Sequence, residues 1–141
     1  MNRPKLTIAD YPMAEKRPDL VVGRRGKMLD EITLQAVLDD YVTMEDMRIT
    51  ATALHSQAEI ARAAGRPTLA ENFERAAELV EVPQDIIMRT YEMLRPGRAN
   101  SKAELVALAQ DLRATYGATA IAAFIDEAAE IYERRGLFTL R

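Results

Sequence analysis

From residue 51 onward apolar side chains recur at helical spacing, whereas before residue 28 they follow no sustained period. Leu54, Ala58 and Ala61 fall at i, i+4 and i+7 behind Thr50, a suitable cap, which predicts a helix over 51–64. Gly65 suits the left-handed position just past a helix, and Pro67 suits the first position of the next one. The string AAGRP is therefore expected to be a corner between two helices. Leu69, Phe73, Ala76, Ala77 and Val80 form the stripe of the second, with Glu71, Glu74, Arg75 and Glu78 opposite. Pro83 opens a further helix with Ile87, Tyr91 and Leu94 on its apolar side, stopped by Arg95, Pro96 and Gly97. Ser101 with Glu104 has capping-box spacing ahead of Leu105, Leu108, Ala109, Leu112 and Tyr116, and Gly117 ends that run. A last helix over 119–135 is expected to turn Ile121, Phe124, Ile125, Ala128 and Tyr132 inward, with Gly136 at its end.

Shorter helical signals precede these. Thr33 can cap a short helix in LDEITLQAVLDD, and Thr43 with Asp46 repeats the capping-box spacing in VTMEDM. Residues 1–27 hold Pro4, Pro12, Pro18, Gly23 and Gly26 and read as extended, irregular chain. No segment has a strand period and no internal repeat is evident. The pattern predicts an all-α protein: an N-terminal arm over 1–27 and a small helical bundle over 28–141, its neighbours antiparallel because the connections are short.

Composition narrows this. A chain of 141 residues, 48% hydrophobic, suits one domain with a real core. It contains no apolar stretch of the length a membrane span needs, and the amino terminus lacks the apolar centre of a secretory signal, so a cytoplasmic protein is expected. The absence of cysteine excludes disulfides, thiolate metal sites and cysteine nucleophiles. The net charge of −3 hides an asymmetry: residues 1–27 carry seven basic and three acidic side chains, the remainder twelve and nineteen. A basic arm on an acidic body fits a tail that seeks nucleic acid, or an arm that lies on an acidic protein surface.

No catalytic constellation emerges. GRRGKM at 23–28 lacks the spacing and the Ser or Thr of a phosphate loop, and reads as a solvated or partner-facing basic turn. His55 is the only histidine, so a histidine zinc site or triad has no partners. Met44 and Met47, at i and i+3, read as core filler rather than a soft metal box. Asp39, Asp40, Glu45, Asp46, Asp126 and Glu127 read as a solvated acidic face. Arg66, at the corner, is either an exposed side chain at a helix end or an ion-pair partner for another subunit. By elimination the chain looks like an interaction subunit. A free-standing helical adaptor, or a nucleic-acid-binding module using the basic arm, is the alternative.

The strings DYPMAEKRPDL (10–20), GKMLDEITLQAVL (26–38), MRIT (47–50), QAEIARAAGRPTLAENFERAAEL (57–79), VPQDIIMRTYEMLRP (82–96) and YGATAIAAFIDEAAEIY (116–132) together resemble the small subunit of adenosylcobalamin-dependent diol and glycerol dehydratases. The likeness runs in order from about residue 10 to residue 135. It implies an enzyme of large, medium and small subunits, two of each, that converts 1,2-diols or glycerol to an aldehyde by a radical mechanism. It also implies that substrate and adenosylcobalamin are held by the other subunits, so that this chain supplies no catalytic, cofactor or metal residues. The small subunit of the family is an open, largely helical bundle that packs mainly on the large subunit. Expected partner-binding residues are Tyr11, Pro12 and Leu20 as apolar anchors, with Lys16, Arg17 and Arg66 as rim charges. Neither nucleic acid nor membrane is an expected partner. Met28 departs from the small polar residue expected there and removes a cap for the next turn. The ten residues before Tyr11 are too few for a microcompartment-targeting extension, and encapsulation is left open.

Overall fold

The computed structural model describes residue 3 and residues 5–138. All regular structure among them is helical apart from an isolated antiparallel bridge between Val22 and Met28. The chain divides into two compact units, residues 1–80 and 81–141.

The first unit begins with 3₁₀ turns at Ile8–Asp10, Pro18–Leu20 and Leu29–Glu31 and three short helices, α1 (Met13–Lys16) between the first two turns and α2 (Leu34–Leu38) and α3 (Met44–Met47) after the third. The unit closes with α4 (Ala51–Ala63) and α5 (Pro67–Leu79), which pack on each other. Caps anticipated from the sequence are in place: Thr33 Oγ1 accepts from the Ala36 N–H at 3.1 Å, and Thr50 Oγ1 from the Ala53 N–H at 3.1 Å. At the corner Gly65 has φ of +71°. The Arg66 N–H donates to the Ala61 carbonyl at 2.9 Å and the Gly65 N–H to the Arg62 carbonyl at 3.1 Å, the paired bonds of a Schellman stop. Pro67 then takes the first helical position of α5. Ala58, Ala61 and Ala70 are buried where α4 meets α5, with Leu69 and Phe73 packed against them. Alanines let the two backbones approach closely, and Arg62 bridges to Glu74 at 2.8 Å across the pair.

The irregular arm is tied to this unit. Leu6 and Met13 are buried with Ile60 of α4, and Leu20 and Val21 pack against that cluster. Glu59, beside Ile60, accepts from the Leu6 N–H at 3.0 Å and pairs with Arg3 at 3.0 Å. A stretch without period is therefore ordered by one helix face and one carboxylate.

The second unit contains α6 (Gln84–Leu94), α7 (Lys102–Tyr116) and α8 (Thr119–Arg135), with α7 packed on α8. Leu105, Leu108, Ala109 and Leu112 of α7 are buried, as are Ile121, Ala122, Ile125 and Ala129 of α8. Lys102 pairs with Glu130 at 2.6 Å and Glu133 at 2.8 Å, and the Tyr132 hydroxyl donates to the Leu94 carbonyl.

Three expectations about faces and caps are corrected. Tyr91 and Phe124, expected inward, are exposed. On α6 the buried position is Thr90, whose hydroxyl is satisfied by the Ile86 carbonyl at 2.8 Å. On α8 the buried stripe runs through Ala122, Ile125 and Ala129, which leaves Phe124 at its margin. The Ser101 box is half formed: Ser101 Oγ accepts from the Glu104 N–H at 3.3 Å, but the Glu104 carboxylate reaches Asn100 rather than Ser101.

Candidate subunit interface

The residues singled out on the arm fall into two groups. Tyr11 and Pro12 are exposed, as is Lys16. Leu20 is half-buried against the Leu6, Met13 and Ile60 cluster of its own unit. Arg17 is held within the arm, its guanidinium donating to both oxygens of Asp19 at 3.0 and 2.9 Å and to Asp10 at 3.4 Å. The Thr7 N–H, first, and Arg17 hold the Asp10 carboxyl below the usual carboxylate range.

Tyr11 and Arg66, 55 positions apart in sequence, line the same groove of about 240 Å³ in the first unit, together with Ile8, Ile60, Leu69 and Phe73. The arm forms one wall and the α4–α5 corner the other. The Arg66 side chain has no hydrogen-bond or ion-pair partner among the described residues, so the groove is apolar with a free cation at its edge.

A second surface was not anticipated. Leu34, Val37 and Leu38 of α2 and Met44 and Met47 of α3 are all exposed, Leu34 and Met44 at 77% of their accessible surface. The reading of Met44 and Met47 as core filler is thereby corrected. The side of α3 that faces inward carries Asp46, 3% exposed, which turns the methionines outward.

The basic turn at 23–28 explains how a carboxylate is buried there. Gly26, at φ of +85°, closes a tight turn in which the Gly26 N–H donates to the Gly23 carbonyl at 2.9 Å, and the chain returns with the Gly23 N–H on the Lys27 carbonyl at 2.8 Å. Arg25 leaves this turn to meet Asp46 in a two-pronged bond, 2.8 Å from Nε and 2.5 Å from a terminal nitrogen, and donates also to the Tyr41 carbonyl at 3.0 Å. Asp46 further accepts from the Thr43 N–H at 2.9 Å. Arg25 above all, with the Thr43 amide, holds the Asp46 carboxyl well below the usual carboxylate range. Lys27 lies over the Tyr41 ring, 3.3 Å from its centroid, and the Tyr41 hydroxyl donates to Glu31 at 2.9 Å. Glu31 also accepts from the Met28 N–H at 2.7 Å, so the turn after Met28 is closed from the Glu31 side without a polar side chain at 28. The turn read as solvated or partner-facing is thus a clamp on its own unit. Asp46 is likewise removed from the solvated acidic face, and Asp126 pairs with Arg113 at 2.8 Å. The sequence signal for the clamp was present but weak: two glycines bracketing basic residues, and an acid at the third position of a capping box.

His55 is exposed on α4 and lines neither the groove beside Tyr11, nor one of about 540 Å³ in the second unit, nor one of about 480 Å³ beside Leu29. Among the described residues no three His, Cys, Asp or Glu side chains are placed to hold a metal ion. No described helix is long and apolar enough to cross a membrane.

An all-α chain whose conspicuous surfaces are apolar and whose polar clusters are internally satisfied is built to be a component of an assembly. Its sequence matches the family described as dehydratase small subunit over residues 6–139. The propanediol dehydratase small subunit of Citrobacter freundii is 52% identical over 128 residues, 91% of this chain and 74% of that protein. The propanediol dehydratase small subunit of Salmonella typhimurium (strain LT2) is 51% identical over 128 residues, 91% of this chain and 73% of that protein. The chain belongs to the dehydratase small-subunit family. It is a subunit of a hydro-lyase, and its partners include the other subunits of that enzyme.

Proposed function

We propose that the chain is the non-catalytic small subunit of a cytoplasmic dehydratase that converts 1,2-propanediol, or glycerol, to an aldehyde and water, with two copies of each of three subunits. The observation that carries this reading is the 52% identity, over 91% of the chain, to a propanediol dehydratase small subunit. Such an enzyme uses adenosylcobalamin for radical chemistry. The residues of this chain do not fit that cofactor: the single histidine is exposed and lines none of the grooves described above, and the basic turn is committed to Asp46 and Tyr41. The cofactor and substrate belong to the larger subunits, and this chain contributes docking.

On the arm side we assign Tyr11, Pro12 and Lys16 as partner-facing, with Arg66 across the groove. Arg17 and Leu20 shape the same surface from behind, through their bonds to Asp19 and their packing on the Leu6 cluster. Residues 1–27 then act as an assembly arm, and residues 28–141 as the helical part that carries it. Co-expression of the full chain with the medium subunit and an affinity-tagged large subunit tests the reading. Stoichiometric recovery of this chain is expected, persisting at high salt because the contact is apolar at its centre. Recovery of the other two subunits without it would refute the reading, and steeply salt-sensitive recovery of nucleic acid would favour the alternative.

A further inference from the structure

Residues 28–50 present an apolar surface that the arm does not account for. In a lone chain, five large side chains, Leu34, Leu38, Met44, Met47 and Ile49, are each more than half exposed within sixteen residues. Leu34 and Leu38 share one side of α2, and Met44 and Met47 one side of α3, by their i, i+4 and i, i+3 spacing. Scattered single apolar residues on a surface need no explanation, but a cluster of this kind marks an interaction site.

The segment is held in its conformation from beneath. Val42 and Asp46 are buried, the Tyr41 and Val42 amides both return to the Ala36 carbonyl at 2.9 Å, and Arg25 clamps Asp46 and the Tyr41 carbonyl together. The outward apolar side chains thus sit on a braced platform.

The charge around them identifies what fits. Residues 28–50 contain six acidic side chains and one basic one, Arg48. The cations near the platform are already engaged: Arg25 with Asp46, Lys27 on Tyr41, and Arg48 with Glu45 at 3.4 Å. The segment therefore joins exposed apolar side chains to an excess of negative charge, with Asp30 and Asp40 unpartnered among the described residues. A second copy of this chain would bring like charges together at such a face, whereas a different subunit with a basic rim would not.

We infer that the surface formed by α2, α3 and Ile49 docks another subunit of the dehydratase, whose facing surface is apolar at the centre and basic at the rim. The inference rests on the reading of the chain as a subunit and adds a second contact region, distinct from the groove beside Tyr11 and Arg66. Methionines suit this role because their flexible side chains adapt to a partner's contour.

The test uses the full chain with Leu38→Asp and Met44→Asp, co-expressed with the other subunits beside the unaltered chain. Both positions are exposed, so the helical circular dichroism and melting of the isolated variant should match the parent. Its affinity for the tagged assembly should fall by about tenfold or more. Full recovery of a folded variant would overturn the inference while leaving the subunit reading intact. Failure of the unaltered chain to assemble would remove that reading and this inference with it. A dimer of the isolated parent that the variant abolishes would overturn the choice of partner in favour of a second copy. Should the double variant unfold, Asp30→Asn with Asp40→Asn decides, since asparagine tolerates the positive φ of 55° at position 40. Association should then slow several-fold at low salt and match the parent at high salt; equal rates at low salt would overturn the inference.

Discussion

At Gly65 the backbone has φ of +71°, and a Cβ built there would meet nothing within 4 Å. Space is therefore not the constraint; conformation is. A β-branched residue is strained in the left-handed region, so Gly65→Val should destabilise the chain by about 1–3 kcal/mol. Arg66→Ala, which removes an exposed side chain without a partner among the described residues, should shift the melt little. Paired thermal melts check this, and equal small effects would contradict the helix stop. Asp46 offers a second test at this scale. Its folded carboxyl is held below the ordinary value by Arg25, so its contribution is complete above the unfolded value of about 3.9 and declines as pH falls below that toward the folded one. Asp46→Asn should lower stability at neutral pH and flatten that part of the acid dependence below about pH 4. Denaturant midpoints measured from pH 7 to pH 2 report it, and parallel pH profiles for parent and variant would contradict the clamp.

Among the elements, the arm carries the clearest energetic consequence. Leu6 is 1% exposed against Ile60 and Met13, and its amide is satisfied by Glu59. Leu6→Ala should cost about 2–4 kcal/mol by equilibrium denaturation, near the lower part of the range for large-to-small changes because the cluster is small. No measurable loss would mean that the arm is not docked in solution. The helices themselves were legible because their ends carry local chemistry: Thr33, Thr50 and Ser101 at starts, Gly65, Gly117 and Gly136 at stops. What the sequence hid depended on distant partners. Leu6 and Met13 have no periodic neighbours, and their burial comes from one face of a helix more than forty residues on. Met44 and Met47 sit on a four-residue helix, too short for periodicity to define a face, and the inward position is settled by Arg25, 21 residues before Asp46. Tyr91 and Phe124 each lie one position off the buried stripe, where size and hydrophobicity favour burial but neighbouring small or self-satisfied residues take the place. Of the candidate interface, Tyr11 and Arg66 carry separate signals in the sequence, and only the fold shows that they share a groove.

For the whole molecule, membership of the dehydratase small-subunit family makes the chain one part of a larger enzyme, and docking is the role proposed for it. Its basic turn is spent on a buried carboxylate, its one histidine is exposed, and the exposed apolar side chains of α2 and α3 lie on the first unit. The most direct measurement of this account is reconstitution of aldehyde formation from 1,2-propanediol with adenosylcobalamin, using the large and medium subunits prepared without this chain and then supplied with it. The account predicts no turnover and no spectral change of cobalamin with this chain alone, low turnover and incomplete assembly from the other two subunits, and recovery of both when it is added in equimolar amount. Tight cobalamin binding by the isolated chain, or full turnover and assembly without it, would contradict the account.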